Sequence, residues 1–161
     1  MTGQKNATIY RALFSATTVL LLAFIFGNSA ADGEESGSLS LMVTQWLNGI
    51  LEWLDAPFAL SHHAVRKLAH FTEYSALGAS FTALVWAWRN KPWHMKNVWL
   101  PLLLGGATAC ADEWLQTFVP DRHGCVSDAL LDFCGVLWAS LAVSALLLMA
   151  QKRASSKTTE E

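Results

Sequence analysis

Hydrophobic residues in this chain fall into four long runs, each about the length of a membrane span. The first covers about Tyr10 to Asn28 and contains the stretch Val19-Leu20-Leu21-Leu22-Ala23-Phe24-Ile25-Phe26. The others cover about Leu68 to Trp88, Val98 to Val119 and Asp128 to Ala150. A helix rising 1.5 Å per residue needs roughly 20 residues to cross ~30 Å of hydrocarbon, and each run is close to that. None alternates with period two, so a membrane barrel is excluded. The pattern predicts an all-α, polytopic bundle of four transmembrane helices. A different rhythm lies between the first two runs. Ala31 to Ser40 is a Gly/Ser/acidic linker. From Leu39 onward, Met42, Val43, Trp46, Leu47, Ile50 and Leu54 recur at helical spacing, with Gln45, Asn48, Glu52 and Asp55 mostly elsewhere. This predicts an amphipathic helix over about 39–56, ended by Pro57. It either lies in the outer membrane interface, anchored by Trp46 and Trp53, or packs over the bundle. Residues 1–9 read as a short N-terminal segment and 151–161 as a disordered tail.

Composition agrees with a membrane setting. Of 161 residues, 53% are hydrophobic and only 15% charged, and the mean hydropathy is +0.30. Among eight tryptophans, Trp86, Trp88, Trp93 and Trp99 flank apolar runs, where indoles favour the headgroup level. A net charge of −2 gives no basic footprint for nucleic acid. Cys110, Cys125 and Cys134 form no metal-binding spacing, and their odd number argues against a disulfide framework.

Lys and Arg set the orientation. Lys5, Arg11, Arg89, Lys91, Lys96, Lys152, Arg153 and Lys157 share one side if the chain crosses four times. Arg66, Lys67 and Arg122 share the other. The positive-inside rule places both termini in the cytoplasm, with the acidic stretch Asp32-Gly33-Glu34-Glu35 outside. A rival reading makes the first run a signal peptide cleaved after Ser29-Ala30-Ala31.

With these directions, polar groups from three helices arrive at one depth. Arg66, Lys67, His70, Glu73 and Tyr74 form a stripe in the first turns of the second run. Asp112, Glu113 and Gln116 come about 20–25 Å along the third, which travels the opposite way. Asp128 and Asp132 occupy the first two turns of the fourth, with Ser127 as the expected helix cap. Arg122 sits in the short turn above them. Ionisable groups at membrane depth cost roughly 2.5–3.5 kcal/mol each by insertion scales, so such a cluster marks a functional site. Gly78, Ala79, Ser80, Gly105, Gly106 and Ala107 suit close helix packing.

The cluster carries a family resemblance. Arg66-Lys67-Leu68-Ala69-His70-Phe71-Thr72-Glu73-Tyr74 with Leu77-Gly78 resembles the first signature of VanZ-like proteins. Asp112-Glu113-Trp114-Leu115-Gln116-Thr117-Phe118, then Pro120, Arg122, Gly124, Asp128, Asp132 and Gly135, resembles the second. The similarity spans about residues 10–150. It implies a small helical protein of the bacterial cytoplasmic membrane. It also implies a role in cell-envelope homeostasis or antibiotic susceptibility, the family being named for a protein linked to teicoplanin resistance. It brings no assigned chemistry. Asp132 stands where Asn is expected in many relatives and adds one acid.

Three uses of the cluster are open. As an enzyme, Glu113, His70, Asp128 and Asp132 would be the catalytic acids and bases. Lys67, Glu73, Tyr74, Asp112, Gln116 and Arg122 would bind an envelope lipid, lipid-linked precursor or glycopeptide. A divalent metal could be held by His70, Glu73, Glu113 and Asp128. As a binder, the same pocket would sequester its ligand without turnover. As structure, the charges would form an ion network fixing helix register. Buried acids and a histidine would also suit a proton-coupled transporter, but no polar path is expected to continue through the inner halves of the helices. His62, His63 and His94 are expected in loops or interfaces, and His123 in the turn beside the cluster.

Overall fold

The computed structural model describes residues 2–31, 33–89, 91–120 and 122–159. The chain is all-α, with no strand among them. Asp32, Asp121 and the last two residues of the expected tail lie outside the described residues. Five helices follow in order: α1 (Thr2–Ala30), α2 (Gly33–Trp53), α3 (His62–Arg89), α4 (Trp99–Gln116) and α5 (Val126–Thr159). A single 3-10 turn, Met95–Val98, leads into α4.

Helix α3 is the centre of the bundle, packing against α1, α4, α5 and, more lightly, α2. Its closest partner is α5, and glycines explain the approach. A Cβ on Gly78 would lie 2.6 Å from the Val136 carbonyl oxygen, and one on Gly135 would lie 2.6 Å from that of Phe71. Each helix thus presents a bare backbone to the other, the arrangement that lets helices associate by contact when no hydrophobic driving force separates protein from lipid. Tyr74, Leu77, Phe81, Ile25, Ala109 and Val136 fill the space between the helices.

The bundle buries hydroxyls beside this apolar core and is apolar outside. Val19, Leu20, Leu103, Leu130, Trp138 and Leu146 are more than half exposed, while Thr18, Ser80, Thr82, Ser140 and Ser144 are buried. The inner hydroxyls are mostly bonded within the bundle: Thr18 to Ser80 at 2.7 Å, Thr82 to the Gly78 carbonyl at 2.8 Å and Ser140 to that same carbonyl at 3.2 Å. An exposed apolar surface of this extent fits a lipid environment. Two helices are long and apolar enough to cross a membrane, Asn6–Ala30 within α1 and Val126–Ser156 within α5. The other two expected spans fall short of that measure for a physical reason. Arg66, Lys67, His70 and Glu73 occupy the first turns of α3, and Asp112, Glu113 and Gln116 the last turns of α4.

Several boundaries differ from the sequence expectation. Helix α2 begins at Gly33, so most of the expected linker is helical. Its apolar residues Met42, Trp46 and Trp53 are exposed, while Val43 faces a cavity shared with α1 and α3. The helix ends in a Schellman turn: Ala56 N–H bonds the Leu51 carbonyl and Asp55 N–H that of Glu52, with Asp55 at φ 53°. The Asn48 amide then grips both backbone groups of Leu60, at 3.0 and 2.7 Å, tying the return loop to α2. His62 and His63 belong to the first turn of α3 and not to a loop. The Ser61 hydroxyl caps that turn at Ala64 N–H, and His62 Nε2 lies 3.0 Å from Ser40 Oγ. Helix α5 continues to Thr159 where a disordered tail was expected. Gln151, Lys152, Arg153 and Ala154 are good helix formers, and the cations suit a helix C-terminus. Trp93, expected as an interfacial anchor, is buried at 1% exposure.

Candidate functional site

Three helices and one turn deliver the polar groups to one end of the bundle, as their spacing predicts. A cavity of about 230 Å³ lies there. Helix α3 contributes His63, Arg66, Lys67 and His70 to its wall, α4 Glu113 and Gln116, the turn Arg122 and His123, and α5 Asp128, Leu131 and Asp132. A larger cavity of about 470 Å³ lies at the other end, between Tyr10, Trp86, Lys91 and Gln151. Among the described residues it is lined by no acid or histidine.

The site has layers. At the rim, Lys67 Nζ meets Asp128 Oδ1 at 3.2 Å, both side chains about two-fifths exposed. Below them, Glu113 is nearly buried and fully engaged. Its Oε2 accepts the Cys125 backbone N–H at 2.7 Å, and its Oε1 faces Gln116 Nε2 at 3.4 Å. The Cys125 carbonyl accepts the first helical bonds of α5, from Asp128 and Ala129 N–H. Cys125 is therefore the cap residue of α5, and Glu113 places a carboxylate at that positively polarised end. Ser127 is not the cap; it lies inside the first turn, with its hydroxyl 3.4 Å from Asp128 Oδ1.

Deepest are Asp112 and Asp132, both with no exposed surface. Asp112 Oδ2 accepts from Gln116 Nε2 at 3.2 Å. Asp132 Oδ1 lies 3.7 Å from His70 Nδ1. Tyr74, also fully buried, turns its hydroxyl toward Asp112.

Glu73 departs from the expected grouping. It lines a neighbouring cavity of about 270 Å³ on the other side of α3, with Phe24 and Asn28 from α1, Ser40 and Val43 from α2, and Val65 and Ala69. The Asn28 side chain hydrogen-bonds it. Arg66 and His70 line both cavities, so α3 is a shared wall between a charged pocket and a largely apolar one.

Helix α1 supplies groups that sequence reasoning missed. The Asn28 carbonyl accepts Arg122 Nη2 at 2.8 Å, and Ser29 Oγ lies 3.4 Å from Gln116 Nε2. Asn28 and Ser29 end an apolar run, a position that also reads as a cleavage region. Only the packing of α1 beside α4 reveals their use. Of the four expected metal ligands, the structure groups His70 with Asp112 and Asp132. It leaves Glu73, Glu113 and Asp128 to the other partners named above.

The two signatures thus converge on one cavity from α3, α4, the turn and α5. The VanZ/LLP1 family model matches residues 14–148, most of the chain. The chain belongs to the VanZ/LLP1 family. No curated protein and no solved structure matches it significantly. VanZ/LLP1 membership and two helices of spanning character are compatible with a membrane protein. Within this VanZ/LLP1 domain the matched region begins inside α1 and ends inside α5, so it includes every site residue described above.

Proposed function

We propose that this VanZ/LLP1 protein binds the anionic headgroup of an envelope lipid at the outer face of the bacterial cytoplasmic membrane. Helices α1, α3, α4 and α5 span, α2 lies in the outer interface, and both termini are cytoplasmic. The observation that carries the reading is the pair of cavities flanking α3. One offers Arg66, Lys67 and Arg122 for a phosphate or carboxylate. The other offers Phe24, Val43, Val65 and Ala69 for the start of a hydrocarbon chain. An amphiphile matches that division, and lipid-linked envelope precursors have it. The exposed apolar face of α2 supports an interfacial position. The use of Asn28 and Ser29 in the site supports α1 as a retained span.

The test is binding of a long-chain polyprenyl phosphate to the purified protein in nanodiscs, with the uncharged polyprenol as control. The phosphate binds and the alcohol does not. Arg66→Gln weakens binding about tenfold, the equivalent of one charge-assisted hydrogen bond. Equal binding of phosphate and alcohol, or an unaffected Arg66→Gln variant, would sink the reading. A second reading, a network that fixes helix register, is favoured by the Lys67–Asp128 and His70–Asp132 pairs between α3 and α5 and by the Glu113–Cys125 bond, and leaves the cavities without a role.

A further inference from the structure

His70, Asp112 and Asp132 come from α3, α4 and α5, and their ligand atoms lie within 4.8 Å of one another. Most of these atoms have nothing to bind. His70 Nδ1, Asp112 Oδ1 and both oxygens of Asp132 make no hydrogen bond. Neither aspartate has a lysine or arginine at ion-pair distance among the described residues. Two carboxylates without a cation, completely buried, are strongly unfavourable, because the effective penalty is several kcal/mol per ion. One shared proton would satisfy two of the four atoms and leave the others bare.

Gln116 is consistent with a cation site here: its amide holds Asp112 by Oδ2 and leaves Oδ1 turned to the cluster. Tyr74, one turn beyond His70 and fully buried, turns its hydroxyl toward Asp112.

We propose that His70, Asp112 and Asp132 form a binding site for one divalent transition-metal cation. A cation of charge +2 neutralises the two aspartates with the imidazole uncharged. One imidazole and two carboxylates form a mixed donor set that suits zinc, manganese or iron better than calcium or magnesium. Ligand atoms about 2.1 Å from a common ion lie at most about 4.2 Å apart, so small side-chain adjustments close the cluster. Gln116 acts as a positioning residue, since it orients one ligand without touching the ion. His70 and Asp132 also line the cavity of about 230 Å³. The remaining coordination positions open toward it, which would let an anionic oxygen of a bound ligand complete the shell. The ion site itself is independent of the lipid reading and is measured with the metal alone.

The experiment uses the untagged full chain in detergent, stripped with a chelator and dialysed against zinc or manganese. One ion per chain is retained. The metal raises the unfolding temperature, and cobalt gives the visible bands of nitrogen and oxygen coordination. Asp112→Asn and Asp132→Asn lose the ion, Gln116→Ala weakens it about tenfold, and Asp128→Asn, outside the set, keeps it. If wild-type protein retains no ion, shows no thermal shift and gives no cobalt bands, the proposal is overturned. Wild-type retention by both aspartate variants overturns it equally. Should the variants not fold, the thermal shift and cobalt spectrum of the wild type decide.

Discussion

The Glu113 carboxylate accepts the Cys125 backbone N–H at 2.7 Å, joining the last turns of α4 to the start of α5. The bond spans the turn that carries Arg122 and His123, so it holds one side of the cavity in place. Glu113→Gln keeps an oxygen for the Cys125 N–H, while its NH2 then faces Gln116 Nε2 in place of an acceptor. Its unfolding temperature in detergent should fall less than that of Glu113→Ala. Glu113→Ala leaves the N–H without its partner and should lose about 1–3 kcal/mol. Equal stability of all three proteins would show that the bond does not hold the turn.

The Lys67–Asp128 pair is exposed on both sides. Such pairs contribute about 0–1 kcal/mol. Lys67→Met should therefore unfold within about 1 kcal/mol of wild type while reducing binding of an anionic lipid. The reduction should shrink as salt is raised, because the ions screen the cation that the variant lacks. A titration at two ionic strengths checks it.

Close contact between α3 and α5 depends on Gly78 and Gly135. Valine at either place would drive a side chain into backbone carbonyl of the facing helix, where no rotamer change relieves the clash. Over-packing of this type costs about 1–3 kcal/mol or more. Gly135→Val should sharply reduce the folded fraction recovered from membranes, whereas Gly27→Val, which meets nothing within 4 Å, should not. Size-exclusion profiles of the two variants provide the comparison.

Cysteine labelling tests the proposed topology. Cys125 lies in the turn before α5, 3.1 Å from the Ser127 hydroxyl, and this hydrogen bonding pulls its thiol pKa below the usual value. A lowered pKa gives more thiolate at neutral pH, so Cys125 should react at a lower pH than a free cysteine. A membrane-impermeant maleimide should label it on intact spheroplasts. Cys110 and Cys134 are also on the surface of the protein but lie mid-helix, facing lipid in the four-span arrangement, and should be protected. Labelling of Cys134 before Cys125 would contradict that arrangement.

The sequence made the helices and the depth of the cluster legible because both follow from period and direction. His70, Asp112 and Asp132 meet because α3, α4 and α5 alternate in sense, which counting residues reveals. Helix rotation was less accessible. Whether Glu73 faces the common cavity or the neighbouring one turns on a fraction of a turn of α3, which packs on α5 through the Gly78 and Gly135 contacts that no spacing rule contains. The same limit hid the partner of Glu113. It is a backbone N–H, and only the folded turn brings that group within reach. Asn28 and Ser29 were obscured because a polar end to an apolar run has several uses.

The grip of Asn48 on Leu60 carries a mechanical consequence. Helix α2, the return loop and the first turn of α3 are bonded end to end, through Asn48, Leu60 and the Ser61 cap. If α2 rests on the membrane surface as proposed, it cannot sink or rise alone. It sets the height of Arg66 and His70 relative to the lipid phosphates, as a float sets the depth of a line. A thicker or thinner bilayer would then change what reaches the cavity mouth without altering any residue inside it.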